Sequence, residues 1–421
     1  MARHLYSLLW WLAAPWLPLR LWWRGRREPG YRAAIGERFG RYGGRSNAPL
    51  RRDVLWVHAV SLGETRAVAP LVERLLREHP DLDILLTSMT ASGREAGRTL
   101  YGDRVLHAWL PYDLPFAVEA FLDRFRPRAG LLVETELWPN LVHACARRGI
   151  AVYLVNARMS QRSAAGYARG SALTRPMLNA LAGVAAQTRE DADRLTKLGA
   201  REVVVTGNLK FDLDVPEAMI VRGAALRERL GKERPVWLSA STREGEEALI
   251  LDALVRSRAS SNALLLLVPR HPQRFDEVEA LVHARGLACV RRTTDDLVTP
   301  DTRVVLGDTM GEMLAYCAAT DVAFVGGSLL PLGGQNLIEP LALGLPTLVG
   351  PHTFNFAEAT DQAIRIGAAR RVADPDALLA EVSALLRNAT ERAKMRGAAL
   401  AFIAAHRGAT ERLWSYLGTR I

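Results

Sequence analysis

Short apolar runs that alternate with longer amphipathic stretches limit the fold of this chain more than any other feature. In the first half we predict strands at 53–60, 83–89, 104–110, 129–136, 151–157 and 201–207, and helices at 65–79 and 115–126. Buried strands separated by helices indicate a parallel sheet covered by helices on both faces. Ligands of such sheets bind beyond the carboxyl ends of the strands, so the residues that follow each run are candidates for function.

The same alternation is repeated in the second half of the chain. We predict strands at 235–241, 263–269, 302–306, 322–326 and 346–350, and helices at 244–258, 273–286, 311–319, 336–344 and from 376 onward. A chain of 421 residues fits two domains of about 200 residues each. We therefore expect an α/β protein with two Rossmann-like domains, connected by the stretch 212–234, and a ligand site in the cleft between them.

The net charge and the composition limit the kinds of partner that the chain is expected to bind. The net charge of +10, carried almost entirely by arginine, fits an anionic membrane lipid or a phosphorylated substrate, although arginine-biased codon usage also produces such a charge. No segment resembles an arginine-rich tail or an aromatic RNA-binding signature, so we expect no nucleic-acid partner. The three cysteines lack metal-ligand spacing and fit a reducing cytoplasm. Asp-x-Asp triplets at 81–83, 191–193 and 212–214 make no compelling metal site, and we expect neither a metal nor a cofactor.

The N-terminal segment 1–27 is rich in leucine and tryptophan. Its apolar run before Arg20 has about 15 residues, fewer than the ~20 that a membrane-spanning helix needs, and Pro15 and Pro18 interrupt it. Five tryptophans suit the headgroup region, and arginines 20, 24, 26 and 27 follow on the cytoplasmic side. We predict a shallow insertion or single anchor. A signal peptide is disfavoured because no Ala-x-Ala cleavage site follows, and a half-buried core helix is the other alternative.

The first candidate motif, Ser61–Thr65, follows the predicted strand 53–60. Gly63 permits a tight turn, and Glu64 falls in the first turn of the next helix. A carboxylate there commonly stabilises the helix N-terminus by a few tenths of a kcal/mol. The alternative is a general base at a strand's carboxyl end, which takes a proton from an acceptor hydroxyl. The local pattern leaves both roles open.

Two further motifs in the first domain contain charged residues. Glu134 and Glu136 close the apolar run 129–136, where they would share one face of the strand. Burying them there requires a cation, a donor or a substrate. Lys210 follows the last predicted strand of the domain and could stabilise a leaving phosphate. Solvated side chains at a strand end and at a linker are the structural alternatives.

The second domain contains candidate phosphate contacts. Arg270 follows strand 263–269, between Pro269 and Pro272, and its planar fork of donors suits phosphate. Met310, Gly311 and Glu312 open a predicted helix after strand 302–306.

A glycine-rich loop follows in the same domain. Glycine pairs at 326–327 and 333–334 border a loop that leads into a helix from near Asn336. We expect exposed backbone N–H groups there to bind an anion. Glu339, in the first turn of that helix, could accept hydrogen bonds from ribose hydroxyls.

Long motifs occur in one order along nearly the whole chain, after the aromatic N-terminus. They lie at 36–40, 58–65, 110–115, 134–140, 156–158, 207–212, 269–272, 307–312, 324–328 and 350–353. With them the chain resembles the bacterial Kdo transferases of lipid A synthesis, which are inverting glycosyltransferases of the GT-B fold (Kdo is 3-deoxy-D-manno-octulosonic acid). Gln335 stands where some members of that family have histidine.

The resemblance implies transfer of Kdo from CMP-Kdo to a lipid A precursor (lipid IVA), on the cytoplasmic side of the cell inner membrane. It implies acceptor binding by residues 28–215 and CMP-sugar binding by 216–421, with the last helix able to pack back on the first domain. Glu64 would be the general base, and Glu134 and Lys210 would stabilise the transition state. The CMP pocket would consist of Pro269, Arg270, Met310, Gly311, Glu312, Asn336, Leu337, Ile338 and Glu339.

Two alternatives to this assignment stay open. One is a membrane transferase of the same fold that uses a UDP-sugar. The other is a non-catalytic protein that binds a nucleotide sugar.

Overall fold

A computed structural model describes residues 1–26, 28–43, 53–257, 262–294, 296–418 and 420–421. It consists of two compact α/β units. The first unit is Met1–Asp212 together with Arg407–Ile421, and the second unit is Leu213–His406. Arg27 and residue 258, which the sequence predictions included, lie outside the described residues. The division of acceptor and donor binding between the two halves stays a prediction.

The first unit contains a seven-stranded parallel sheet. Its strands are β1 Asp53–His58, β2 Leu82–Ser88, β3 Leu106–Trp109, β4 Pro127–Val133, β5 Ala151–Ala157, β6 Gly183–Ala186 and β7 Val203–Val205. Their order is β3-β2-β1-β4-β5-β6-β7, so the direction of winding reverses between β1 and β4. The gap beyond this switch point is where doubly wound sheets bind ligands.

Helices cover both faces of this sheet. They are α1 Ala2–Ala13, α2 Leu17–Arg24, α3 Leu62–Ala67, α4 Ala69–Glu78, α5 Ala91–Tyr101, α6 Pro115–Phe125, α7 Pro139–Arg147, α8 Gln161–Arg169, α9 Ser171–Asn179, α10 Arg189–Leu198 and the C-terminal helix Ala409–Leu417. Successive side chains of β1 alternate between the two faces: Trp56 belongs to one core cluster, and Leu55 and Val57 belong to the other. Burial on both faces explains why the strand is continuously apolar.

The second unit repeats this architecture. Its strands are β8 Val236–Thr242, β9 Leu264–Pro269, β10 Cys289–Arg291, β11 Val304–Leu306, β12 Val322–Val325, β13 Thr347–Val349 and β14 Ala369–Arg371. They are parallel in the order β10-β11-β9-β8-β12-β13-β14, with the switch point between β8 and β12. The helices are α11 Glu217–Leu230, α12 Glu246–Arg256, α13 Phe275–His283, α14 Met313–Ala318, α15 Ile338–Ala342, α16 Ala357–Arg365, α17 Pro375–Arg387 and α18 Ala389–His406. The predicted fold class is confirmed.

Several local predictions differ from the structure. The stretch 212–234, predicted as a connection, contains α11, which packs against α14. The predicted helix 65–79 is divided between α3 and α4, and Pro70 lies in the first turn of α4. Strands β6, β10 and β14 were not predicted, because small residues or arginines replace the run of large apolar residues in them.

The N-terminal helices present apolar side chains outward. No residue of α1 is buried, and the exposed large side chains here are Leu5, Leu8, Leu9, Trp11, Leu12, Trp16, Leu19, Trp22 and Trp23. The other side of α1 packs against the rest of the first unit. Ser7 Oγ donates to Asn140 Oδ1 at 3.0 Å, and the Trp10 ring lies 5.7 Å from that of Tyr112. Within the described part of the chain, none of the helices has both the length and the apolar character that crossing a membrane demands.

Candidate active site

Glu64 lies at the switch point of the first unit, just after β1. Ser61 caps α3: its Oγ accepts from the Glu64 N–H at 3.4 Å and donates to Glu64 Oε1 at 2.9 Å. The Val60 N–H donates to Glu64 Oε2 at 2.7 Å. The carboxylate therefore has the helix-capping role that the sequence suggested. It is only partly buried, so capping leaves it accessible to solvent.

The environment of Glu64 also makes it a base near neutral pH. Burial raises the pKa of its carboxyl from 4.5 to about 7, and the negative charge of Glu134 adds to that rise. The hydrogen bonds from Val60 and Ser61 oppose the rise, and Glu136 contributes a smaller increase. A carboxyl that is half ionised near pH 7 can accept a proton and release it again.

Glu134 lies in a turn directly after β4, on the other side of the switch point. The strand ends at Val133, so the prediction that Glu134 and Glu136 share one face of a strand is wrong. Glu134 has a φ of 62°, which only a minority of non-glycine residues adopt, and its N–H donates to Val155 O at 2.9 Å. Its carboxylate accepts from Lys210 Nζ at 2.6 Å. The structure thus brings together all three predicted residues of the first unit, Glu64 and Glu134 through their charges and Lys210 through this ion pair.

Glu136 is a second carboxyl with a perturbed pKa. Burial raises its pKa to about 6, the hydrogen bond from Trp138 opposes the rise, and the charge of Glu134 adds to it. Trp138 Nε1 donates to Glu136 Oε2 at 3.1 Å, and the Trp138 ring lies 6.3 Å from Trp10 of α1. Trp138 therefore connects the Glu136 carboxylate to the N-terminal helix through its ring.

The histidine at the end of β1, His58, is unsuited to proton transfer. His58, at the end of β1, is fully buried, and its Nδ1 lies 2.9 Å from Thr87 Oγ1. Burial lowers its pKa to about 3, so the ring is neutral at physiological pH. Glu64 is then the better proton acceptor at this end of the sheet.

The predicted donor residues of the second unit lie at the ends of its strands. Pro269 ends β9, and the Arg270 N–H donates to Thr242 O at 2.9 Å, which holds the turn against β8. Glu312 accepts from Thr309 Oγ1 at 2.7 Å and lies 3.7 Å from Arg222. Met310 is exposed, and Gly311 forms a left-handed turn before α14.

The glycine-rich loop of the second unit is filled by the protein itself. The Glu246 carboxylate, fully buried in the first turn of α12, accepts from the backbone N–H groups of Gly327, Ser328 and Leu329. The Gly334 N–H donates to Gly327 O. The N–H groups that follow the first glycine pair therefore already have an acceptor, a side chain 81 to 83 residues away, whereas the anion site predicted at the helix start near Asn336 stays a prediction.

The helix predicted from Asn336 begins two residues later, at Ile338. Asn336 Oδ1 accepts from the Ile338 N–H at 3.0 Å. The side chains of Leu337 and Ile338 are buried in the core, so these two residues can offer a ligand only their backbone. Glu339 lies in the first turn of α15, as predicted.

The structure also assigns a role to Asp212 of the third Asp-x-Asp triplet. Its carboxylate accepts from the N–H groups of Gly408, Ala409 and Thr410 and so caps the C-terminal helix. In the ranges that the structure describes, no group of three or more His, Cys, Asp or Glu residues could hold a metal ion.

Glu246 and Asn156 are the residues that sequence reasoning missed. Asn156 Oδ1 accepts from the Leu209 N–H, next to Lys210. A signal for Glu246 was present, because it follows β8 as Glu64 follows β1, and comparing the two halves of the chain would have drawn attention to it.

Solved structures with this architecture define the class. A putative UDP-N-acetylglucosamine 2-epimerase from Listeria monocytogenes matches with a TM-score of 0.59 and 14% identity, covering 88% of this chain and 98% of that one. At that identity the likeness shows the fold alone. Two doubly wound parallel α/β units of this kind are the architecture of GT-B proteins, the class that includes many glycosyltransferases.

Sequence relatives specify the family. Residues 33–213 match the family described as 3-Deoxy-D-manno-octulosonic-acid transferase (kdotransferase). The chain is 48% identical to the 3-deoxy-D-manno-octulosonic acid transferase of Bordetella pertussis, over 98% of each chain. It is 38% identical to the transferase of that name from Haemophilus influenzae, over 93% of this chain and 92% of the relative. The chain belongs to the 3-deoxy-D-manno-octulosonic acid transferase family, and the resemblance noted from its motifs is confirmed.

Proposed function

We propose that this enzyme transfers Kdo from CMP-Kdo to a hydroxyl group of a lipid A precursor, with inversion at the anomeric carbon, and that Glu64 is the general base. Relatives covering nearly the whole chain carry the name of this transferase. One observation carries the mechanism: the carboxyl of Glu64 lies partly buried at the switch point of the sheet, and its pKa is raised to about 7. General bases are most effective when their pKa lies near the operating pH.

In the proposed step the Glu64 carboxylate takes the proton of the acceptor hydroxyl as the hydroxyl oxygen bonds to the anomeric carbon of Kdo. The bond from that carbon to the phosphate oxygen of CMP breaks on the opposite face, and its electron pair leaves with CMP. The released monophosphate carries less negative charge than a diphosphate would. Cationic side chains and backbone dipoles can therefore offset the charge that develops on it.

Lys210 and Glu134 are proposed to stabilise the transition state. Their ion pair is mostly shielded from water, with side-chain exposures of 21% and 18%, so its charges act more strongly than a surface pair would. The charge of Glu134 also raises the pKa of Glu64, which makes Glu64 a stronger base.

The donor is proposed to bind the second unit at Pro269, Arg270, Met310, Gly311, Glu312, Asn336, Leu337, Ile338 and Glu339. The guanidinium of Arg270 is the group in this set suited to the CMP phosphate. Since Leu337 and Ile338 are buried, their proposed contribution is limited to backbone groups. The N–H groups of Gly327 and Ser328 already donate to Glu246, which favours Arg270 and the turn at Met310–Gly311 as the proposed phosphate contacts.

We further propose that the exposed face of α1 and α2 rests on the cytoplasmic side of the inner membrane. Leu5, Leu8, Leu9 and Leu12 recur at helical spacing and are all more than half exposed. Tryptophans and arginines border this row, as expected at a headgroup layer. An amphiphilic acceptor would then reach the enzyme from the same surface.

Product analysis tests the reaction. Purified enzyme is incubated with lipid IVA and either CMP-Kdo or UDP-N-acetylglucosamine. The masses of the lipid products are then measured by mass spectrometry. We expect a mass gain of one or more Kdo residues with CMP-Kdo and no product with the UDP-sugar. A product only with the UDP-sugar would favour the other transferase, and no product with either donor, despite CMP binding, would favour a non-catalytic binding protein.

Liposome flotation tests the membrane surface. Deleting residues 1–27 should release the enzyme, but it would also uncover Tyr31 and Tyr112, which pack against Leu17 and Leu21. The combined substitution Leu9→Ser and Leu12→Ser is cleaner, and Leu400→Ser is a matched control because Leu400 is an exposed leucine of the second unit. We expect the double variant alone to lose binding to vesicles of anionic phospholipid. An unchanged bound fraction would contradict the proposed surface.

A further inference from the structure

The segment that carries Lys210 is attached to the sheet through the side chain of Asn156. Asn156 Oδ1 accepts from the Leu209 N–H at 3.0 Å, at the start of the short 3-10 helix Leu209–Phe211. Within that segment the Lys210 N–H donates to Asn208 Oδ1 at 3.0 Å. The backbone that leads into Lys210 is thus held by two asparagine side chains.

The same strand end also holds Glu134. The Glu134 N–H donates to Val155 O at 2.9 Å, one residue before Asn156. Lys210 Nζ then meets Glu134 Oε1 at 2.6 Å. The contacts form a closed ring: from Glu134 to Val155, along the chain to Asn156, across to Leu209, and through Lys210 back to Glu134. The side chain of Asn156 therefore holds the Lys210 segment beside the strand end to which Glu134 is bonded.

Asn156 has an unusual conformation for a residue inside a strand. Its φ is 51°, and the register between β5 and β6 is irregular from Leu154 to Ala157. Asparagine tolerates this left-handed region better than most residues, and strained backbone often occurs where a functional group must be aimed. In this conformation Oδ1 meets the Leu209 N–H.

The amide nitrogen of the Asn156 side chain differs from its oxygen in having no such partner among the described residues. Asn156 is fully buried, and its Nδ2 has no hydrogen-bond partner among the described residues. Burying an unpaired amide donor costs free energy, so the contribution of this asparagine lies in its oxygen, which accepts from the Leu209 N–H, and in its tolerance of the left-handed backbone.

We propose that Asn156 is a positioning residue for the transfer reaction: it holds the Lys210 segment so that Lys210 meets Glu134 at the switch point. The inference rests on the proposed function for its effect on turnover. Its geometric part, that Asn156 controls the placement of Lys210, stands on the contacts themselves. Asn156 is not expected to touch either substrate.

The variant Asn156→Gly tests this, because glycine keeps the left-handed backbone while removing the acceptor oxygen. We expect kcat to fall about 10- to 100-fold with KM changed little, as for a displaced catalytic group. The matched control is Gln187→Ala, since Gln187 Nε2 donates to the backbone carbonyl of Asn156 and not to the Leu209 segment. The control should retain wild-type kcat.

A double-mutant cycle separates positioning from a general structural role. In the Lys210→Ala background, Asn156→Gly should reduce kcat further by no more than about twofold, since its effect passes through Lys210. Additive losses would overturn the proposal.

A second readout does not depend on Kdo transfer. The chain has lysines only at 197, 210, 232 and 394, so labelling with an amine-reactive ester followed by peptide mass spectrometry reports Lys210 separately. Asn156→Gly should speed labelling of Lys210 severalfold and leave Lys197, in the same unit, unchanged. Unchanged labelling of Lys210, or equal acceleration of Lys197, would overturn the proposal, whereas absence of turnover in the wild type would count only against the proposed function.

Discussion

The switch points of the two units place a glutamate in the same topological position with opposite consequences. Glu64 follows β1 and opens α3, and Glu246 follows β8 and opens α12. Glu64 receives one backbone N–H from outside its helix and the Ser61 hydroxyl, and it stays partly exposed, with its pKa raised to about 7. Glu246 is fully buried and accepts from the N–H groups of Arg243, Gly327, Ser328 and Leu329. The two glutamates thus differ in the number of backbone N–H groups that donate to them, not in their position in the fold, and only Glu64 is left with the exposure that the proposed role of base requires.

The glycines of the second unit are explained by the same comparison. A Cβ on Gly326 would lie 2.6 Å from the Cα of Thr242, and Gly327 has a φ of +70°. The loop after β12 must pass close to β8 and turn sharply for its N–H groups to reach Glu246. Gly326 and Gly327 therefore serve the packing of the loop against β8 and its hydrogen bonds to Glu246.

The largest expected effect comes from Glu64→Gln, which keeps an acceptor oxygen for the Val60 N–H but removes the proton acceptor. We expect kcat to fall about 10²- to 10⁴-fold, while the thermal unfolding midpoint and CMP binding persist. Steady-state transfer assays measure kcat, and calorimetry measures the unfolding midpoint and CMP binding. Retained turnover would remove Glu64 from the role of base and erase the contrast with Glu246.

The reverse outcome is expected for Glu246→Ala. This variant leaves backbone donors buried without an acceptor, and we expect the free energy of unfolding to fall by about 3–5 kcal/mol. Urea denaturation measures it. The control Glu228→Ala removes an exposed carboxylate of the same unit and should change stability by less than about 0.5 kcal/mol. A stable Glu246→Ala variant would contradict the structural role.

Lys210→Ala sharpens the comparison within the first unit. It removes the cation from Glu134, and we expect kcat to fall about 10²-fold because a charge that stabilises the transition state is lost. Lys197→Ala, which changes a lysine of α10 in the same unit, should have wild-type kinetics. Equal rates for the two variants would leave Lys210 as a structural residue.

The pH dependence of the reaction tests the coupling between the two acids. Because the base must be ionised, kcat/KM should rise with pH through the pKa of Glu64, at about 7. Glu134→Gln removes a negative charge that raises this pKa, so the rise should move to lower pH. Glu136→Gln should move it less, since the charge of Glu136 is the smaller contribution. A rise at the same pH in both variants would assign the ionisation to another group.

The smallest expected effect concerns stability. The pKa of Glu64 is higher in the folded protein, about 7, than the ordinary 4.5, so the folded state holds the proton more tightly. Ionisation of Glu64 therefore costs stability progressively between these values, and the full cost applies above about pH 7. The free energy of unfolding of Glu64→Gln, relative to that of the wild type, should therefore increase by on the order of 1 kcal/mol as the pH rises from about 5 to about 8.5. Urea denaturation at both pH values measures this change. A pH-independent difference would show that the wild-type carboxyl does not titrate in this range.

The sequence by itself determined the α/β class, the principal strands and the family. Runs such as 53–58 and 264–269 are apolar because both faces of each strand are buried, and this signal is local. Glu64 and Glu134 could be singled out for the same reason, since both follow such runs. Strands β6, β10 and β14 escaped notice because their sequences, Gly-Val-Ala-Ala, Cys-Val-Arg and Ala-Arg-Arg, lack the run of β-branched or large apolar residues that marks a buried strand.

Only the tertiary structure decided which polar groups pair with one another. Glu246 meets the loop after β12, Asn156 meets Leu209, and Lys210 meets Glu134 across 81 to 83, 53 and 76 residues of sequence, respectively. Such hydrogen bonds form between backbone and side-chain groups that the sheet order brings together, and nothing in the neighbouring sequence encodes the distance. The chain's local pattern places chemical groups at the carboxyl edge of each sheet, whereas the packing of strands and loops determines which of them are already paired and which are left to react.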